Sequence, residues 1–548
     1  MTDARLDALA KDVFDWYVQE NPLFATFVGI HAYDHLLPDG TREAPLEELA
    51  KAHASLEALT GIDPKSLSFG KRIDRGVLRN VLRLTAFEID ELRIWESMPL
   101  GADVVGGGLF PLFLREFAPL PERMESITAR LEAAPRFLEE SKGRIRTPVR
   151  VWAEIAKEST ERLPGFLKVI QAAGAQALPA PDRARLGEAV AKAEHALASY
   201  TRWIGSAVLP TAKDRVGIGA TKFRKLVRLR ELGLTVEEIY GIGTRYLRQS
   251  KRELARLSGE IQPGATVEEA KEIVKADHPA TFAEAFAYTA KAMEDSRRFL
   301  LERNLATIPP NEELRVIETP TYIRHVIPFA AYSSPARFEP RQQGFYMVTP
   351  VEDKPEMLRE FSYAGVRNTA VHEGYPGHHL HFTSANRNPS HARALSYATE
   401  AIEGWAHYCE DMMKEAGFHP DPATRFAQML DQVWRACRIL IDVDLHCGRM
   451  TFDEAVDLLV REAGMERPGA VAEVKRYTYT PAYPLSYLVG KHLIRDLRDE
   501  VRRGLEPSYS NKFFHDTYLY AGALPLKYMR ELFRYKVKEL RRLRSAGA

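Results

Sequence analysis

The chain has 548 residues, 45% hydrophobic and 28% charged, with 76 basic against 75 acidic side chains. The net charge of +1 supplies no bulk field for nucleic acid, and the length is ample for a large core or two lobes. Cys409, Cys437 and Cys447 are too few and too far apart for a disulfide framework or a thiolate metal site.

The first stretch, "MTDARLDALAKDVFDWYVQ", mixes acids and bases without an apolar core, so no secretory signal is expected. No apolar run approaches the roughly 20 residues of a membrane helix. The expectation is a cytoplasmic protein with neither membrane nor nucleic acid as partner, its oligomeric state unknown.

Helical periodicity dominates. "LEELAKAHASLEALTGI" and "RLGEAVAKAEHALASYTRWIG" repeat apolar residues every three or four positions between charged faces. Thr235 with Glu238, and Thr451 with Glu454, are spaced as capping boxes that start helices, and Gly464 suits a helix stop. The Pro-Pro of "LATIPPNEELRV" (305–316) reads as a boundary between an N-terminal helical lobe, 1–304, and a second lobe, 305–548. Beyond it, "LRVIETPTYIRHVIPFAAYSSPARF" and "GFYMVTP" are rich in β-branched and aromatic residues, which predicts two or three short strands. The chain is therefore expected to be mainly α, with a small sheet beside a histidine-bearing helical region.

That region centres on "VHEGYPGHHLHF", residues 371–382, and six of the 16 histidines lie between 372 and 407. In a straight helix His378, six residues after His372, would point about 120° away. His379 would share the face of His372 but sit about 10.5 Å along, too far to share an ion bound at about 2 Å. A straight helix is not what these residues encode. Pro376 cannot donate to the carbonyl of His372, and Gly374 and Gly377 weaken the helix around it. Two residues looped out at "GYP" would bring His378 to the place of an i+4 ligand.

A third ligand is expected from "EAIEGWAHYCED", with Glu403 the best candidate; Glu400 lies one turn before it, His407 one turn after, and Glu410 further on. Two histidines, a glutamate and an open position form a catalytic zinc set, and Glu373 beside the first ligand would be its general base. The plainer reading is that these histidines cap or solvate a loop. The Pro and Gly placement and the following glutamate weigh against it.

"HEGYPGHHLHF" with "EGWAHYCE" resembles the bacterial family called domain of unknown function 885, grouped with gluzincin-type zinc peptidases such as thimet oligopeptidase and angiotensin-converting enzyme. "NPLFATFVGIHAYDHLLPDG", "AAYSSPARFEPRQQGFYMVTP", "RILIDVDLHCGRMTFDEAV" and "RYTYTPAYPLSYLVGKHLI" extend the resemblance along most of the chain. It implies a helical peptidase fold with a deep cleft between two helical lobes. The "GHHLH" ending resembles the "GHxxH" of thimet oligopeptidase and favours His378 over His379 as ligand. His407 and "TPAYP" depart from the family's usual residues.

The resemblance also puts Tyr487, ahead of Gly490, in the role of oxyanion donor. Arg476 or Lys491 could hold a substrate carboxylate, with Tyr483 a further contact. Arg438, Asp442 and His446 share a helix face, either as an ion-pair ladder or with His446 turned to the site as an orienter or donor. In related peptidases a strand such as "GFYMVTP" offers its edge to an extended substrate.

The function expected is a zinc metallopeptidase with one zinc ion per chain, cleaving short peptides as a carboxypeptidase or dipeptidase. Ligands of this type also accept manganese or cobalt. A zinc amidase or esterase acting on another small molecule would use the same ligands. A metal-binding scaffold without catalysis would have no use for Glu373.

Overall fold

The structure, a computed structural model, describes residues 2–319, 324, 327, 329–351 and 355–547. It is mainly helical with one three-stranded sheet. Two compact units emerge: residues 1–71, 79–218 and 336–340 form the first, and residues 72–78, 219–335 and 341–548 the second. The boundary expected at 304 falls within the second unit.

In the first unit the long helices Leu120–Lys142, Arg150–Ala177 and Ala180–Trp203 pack together. Each buries one stripe: Ile127, Leu131 and Ala134; Ala153, Ala156, Leu167 and Ile170; Leu186, Ala189, Val190, Ala193 and Leu197. The spacing of three and four residues is what puts these side chains on one face. No single described helix is long and apolar enough to cross a membrane, although the sharply bent pair Phe69–Glu96 and Gly101–Leu114 passes that test by length and composition.

The second unit contains every residue of the histidine region. Helix α1 (Val236–Ile261) starts at the expected box, with Thr235 Oγ1 accepting from Glu238 N and Glu238 Oε2 from Thr235 N. The same device starts the helix Phe452–Ala463, which ends at Gly464 with φ +60°. Helix α2 (Phe282–Glu302) leads through a loop into strand β1 (Glu312–Glu318). Strands β2 (Ala330–Ser333) and β3 (Gln342–Val348) complete the expected sheet, while residues 320–323, 325, 326 and 328 lie outside the described residues.

Strand order is β1-β3-β2, with β1 parallel and β2 antiparallel to β3. The strand "GFYMV" is thus central, paired along its whole length with β1 and over Phe345–Val348 with β2. It does not supply the edge expected of it. An edge cannot be told from a centre by composition, because pairing is non-local.

Next come α3 (Tyr363–Thr369), α4 (His378–Ala385), α5 (Thr399–Glu415), α6 (Pro422–His446), α7 (Arg467–Tyr479) and α8 (Ser486–Leu505). Helices α5 and α8 approach unusually closely. A Cβ on Gly404 would lie 2.5 Å from the backbone of Gly490, and one on Gly490 would lie 2.2 Å from Glu400 O. Only glycine permits that approach, which brings the tyrosines around α8 alongside Glu403.

Candidate metal centre

Helix α3 widens into a π-helical turn, Ala370–Gly374, which carries His372 and Glu373. The chain then leaves the helix through Tyr375 and Pro376 and re-enters at α4. Gly377 makes this possible: its N–H donates to Val371 O at 3.0 Å, and a Cβ there would lie 1.9 Å from His372 O. Trp405 Nε1 donates to Pro376 O at 2.8 Å and pins the bulge to α5. The inserted residues are absorbed where the Pro and Gly signals put them.

The bulge brings His378, not His379, to His372. Their rings stand 4.9 Å apart at 87°, and His378 Nε2 lies 3.3 Å from Glu403 Oε2, with His372 Nε2 at 4.0 Å from the same oxygen. The three donor atoms all fall within 4.8 Å of one another, and all three side chains are nearly buried. Bonds of 2.0–2.1 Å in a tetrahedron separate donors by about 3.4 Å, so small shifts would close this set on an ion.

The outer contacts fit the same purpose. Nδ1–H of His372 donates to Glu410 Oε1 at 2.7 Å, which turns the lone pair of Nε2 inward. Asn368 Nδ2 donates to the other Glu410 oxygen at 3.1 Å. Burial alone would raise the Glu410 carboxyl, but His407, His372 and Arg435 outweigh it and hold the group well below the usual range. Tyr483 donates to Glu403 Oε1 at 2.8 Å and leaves Oε2 facing the histidines. Burial would raise Glu403 too, yet His378, His372 and Tyr483 hold it at about 2, an anion at working pH.

His379 is spent on structure. Its Nε2 meets Glu312 Oε2 at 2.7 Å and its Nδ1 meets Tyr332 OH at 3.0 Å, tying α4 to β1 and β2. Gly344 makes room, since a Cβ there would lie 2.6 Å from His379 Nδ1. Glu373 is partly exposed and forms no hydrogen bond or ion pair with another described residue. It follows His372 directly on the π-helical turn, and its charge adds to the upward shift of His378 and of the buried Tyr332 and Tyr346 hydroxyls.

Tyr487 lies with its ring nearly parallel to His372, centroids 6.5 Å apart, and its hydroxyl 3.3 Å from that of Tyr483. Burial and Glu403 push its hydroxyl up against the opposing pull of Arg438, so it stays protonated and able to donate. Arg438 is clamped between Trp434 and Tyr487, 4.0 and 4.6 Å from their centroids. Arg476 pairs with Glu473 at 2.8 Å, keeps a third of its side chain exposed, and lies 5.8 Å from the Tyr483 ring.

Two expected site residues belong elsewhere. Lys491 is fully buried, with Nζ 2.8 Å from Asp411 and 2.5 Å from Gln432 Oε1, so no substrate carboxylate can reach it. His446 is also fully buried, donating from Nε2 to Tyr477 O at 3.1 Å and stacked on Phe223. Its neighbour Asp442 accepts the backbone N–H groups of Ala482 and Leu485, both at 3.1 Å. Of the two readings of this face, His446 does not turn to the site, and the ladder survives only in part, with His446 Nε2 3.5 Å from Asp442 and Arg438 standing apart. Arg438 serves Tyr487, while Asp442 and His446 brace the chain that carries Tyr483, where Ala482 holds a φ of +63°.

Glu410, Asn368 and Glu312 are contributors that sequence reasoning left without a role. Glu410 carried a signal, standing seven residues after Glu403 and so on nearly the same helix face.

The chain belongs to the family described as bacterial protein of unknown function, DUF885, whose profile matches residues 22–533. No curated protein matches it. Among solved structures it is similar to a protein provisionally assigned as a lipoprotein of unknown function from Shewanella oneidensis, with a TM-score of 0.79 and 24% identity over 96% of this chain and 98% of that one. A second, from Colwellia psychrerythraea and described in similar terms, has a TM-score of 0.84 and 17% identity over 98% of this chain and 100% of that one. At these identities the likeness concerns the fold.

Proposed function

We propose that the protein is a zinc-dependent hydrolase of short peptides. The observation that carries this reading is the convergence of donor atoms of His372, His378 and Glu403 within 4.8 Å, with Glu373, whose carboxylate has no partner among the described residues, next to His372 on the same turn. The reading extends the helical fold to the gluzincin-type peptidases, whose cleft admits short chains.

His372 Nε2, His378 Nε2 and Glu403 Oε2 would hold the ion. Zinc held there would supply Lewis acidity, polarising an amide carbonyl and making water easier to deprotonate. Glu373 takes the proton from the attacking water and returns it to the leaving amine. Tyr487 donates to the carbonyl oxygen as charge develops on it. Tyr483 keeps Glu403 oriented, and Glu410 does the same for His372. Arg476 receives the substrate's free carboxylate, which suits a carboxypeptidase or dipeptidase. The edge for an extended substrate passes to β2, whose Tyr332 stacks over His378 at 6.3 Å.

The test is hydrolysis of a mixed short-peptide library by wild type and Glu373→Gln, with metal content measured on both. Zinc in both proteins with cleavage only in wild type supports the reading. Zinc-loaded wild type that cleaves no peptide removes the peptidase assignment.

A further inference from the structure

The first unit holds a cavity of about 380 Å3 that the chemistry above does not use. Three helices line much of it. Thr2–Glu20 contributes Trp16, Tyr17 and Glu20, Pro22–Val28 contributes Phe24, and Glu43–Thr60 contributes Glu47 and Glu48. Trp16 and Glu20 stand one helical turn apart, as do Ala44 and Glu48, so each of the two longer helices turns one face to the cavity.

Its walls are aromatic and its mouth is acidic. Trp16, Tyr17, Phe24 and Glu48 are half-buried, whereas Glu20, Asp39 and Glu47 are exposed. The Tyr17 and Phe24 rings meet edge to face, centroids 4.9 Å apart at 66°. Lys51, outside the lining, places its ammonium 5.9 Å from the centre of the Trp16 ring and 2.7 Å from Asp12. That indole already takes a cation on its face.

The charges of the lining do not balance. Glu20, Glu47 and Glu48 form no hydrogen bond or ion pair with another described residue. Asp39 is engaged in its own turn, accepting from Thr41 N at 2.6 Å. Arg144 is the only cation among the described residues of the lining. Its Nε donates to Thr41 O at 2.9 Å and a terminal nitrogen donates to Asp39 O, so the guanidinium is bonded to the backbone. Burial, with Glu88 adding to it, raises the Glu48 carboxyl to about 7 against the pull of Arg144. An incoming positive charge would stabilise such a carboxylate.

Cavities of roughly 300–1,000 Å3 with apolar walls and a few polar groups suit small molecules. Aromatic faces and unpaired carboxylates both favour positive charge. We infer that this cavity binds a small organic ammonium, its charged group taken by Glu20, Glu47 and Glu48 and its apolar body laid against Trp16, Tyr17 and Phe24. The inference does not rest on the metal reading, since every residue of the lining belongs to the first unit.

The experiment is calorimetric titration of the full chain in excess chelator at about pH 8, where Glu48 is ionised. Three probes of similar shape are compared: phenethylammonium, 2-phenylethanol and 3-phenylpropanoate. Phenethylammonium should bind with a Kd of about 1 mM or below, and the neutral and anionic probes at least about tenfold more weakly. Glu48→Gln should weaken phenethylammonium about tenfold, the loss of one charge-assisted hydrogen bond, and Trp16→Leu about threefold. Melting curves report the folding of each variant. Equal binding of the alcohol or the carboxylate overturns the inference, as does the absence of heat with phenethylammonium up to about 10 mM. An affinity unchanged in both variants overturns it too, because the ammonium would then sit elsewhere on the chain. Should Trp16→Leu fail to fold, Glu48→Gln and Glu47→Gln decide, and wild-type affinity in both overturns it equally.

Discussion

Glu410 Oε1 lies 2.7 Å from Nδ1 of His372, and both side chains are buried. A wholly buried carboxylate is costly unless its oxygens are occupied. Here one oxygen accepts from His372 and the other from Asn368, with Arg435 4.0 Å away. Glu410→Ala should therefore weaken Zn2+ binding by about 10–100-fold without removing a ligand atom. Glu410→Gln keeps an acceptor and should lose less. Chelator competition on the two variants checks the order.

The bulge between α3 and α4 predicts a ranking among glycines. A Cβ at Gly377 meets backbone carbonyl oxygens at 1.9 and 2.4 Å, which cannot move without undoing the bulge. Gly377→Ala should cost about 4 kcal/mol or more and abolish metal uptake. At Gly374 the added Cβ meets Met293 Sδ at 2.6 Å, part of a flexible side chain. Gly374→Ala should cost about 1 kcal/mol and retain metal. Denaturant melts with metal analysis on the same samples separate the two.

Two cations expected to bind substrate should behave oppositely. Lys491→Met removes a buried partner of Asp411, which keeps Arg425 and Arg495, each at 3.0 Å. A loss of about 3 kcal/mol in stability is expected, with KM unchanged for the folded protein. Arg476→Gln should instead leave the melt nearly unaltered. It should raise KM about tenfold for peptides with a free carboxylate and spare their C-terminal amides, the loss of one charge-assisted hydrogen bond. Equal effects on acids and amides would remove Arg476 from substrate binding.

The parts of this protein legible in its sequence are those set by near neighbours along the chain. The boxes at Thr235 and Thr451 close over three residues, and their cap bonds form as expected. Pro376 and Gly377 mark the bulge because the clash each avoids is with backbone four to six residues away. Lys491 is buried by partners the local sequence does not show, Asp411 and Gln432 from α5 and α6. A lysine on an amphipathic helix carries no local sign that it faces inward. The burial of His446 is hidden in the same way, since Phe223 and Tyr477, which it contacts, are remote in sequence. The central position of β3 depends on β1, some thirty residues earlier.

The first unit carries a pH dependence of its own. His31 lies 2.7 Å from Asp34 and 3.4 Å from Glu339, with its ring stacked on Phe117 at 3.7 Å. Burial lowers the imidazole, but the two carboxylates outweigh burial and raise it to about 9. An unfolded histidine titrates near 6.5. The folded state thus binds the proton more tightly, so the stability His31 contributes is fully present below about pH 6.5 and is lost as pH rises through about 9. His31→Gln should therefore melt well below wild type at pH 6 and close to it at pH 9.5, in urea melts at constant ionic strength. A gap that stayed constant across that range would mean that packing on Phe117, and not charge, is what His31 contributes.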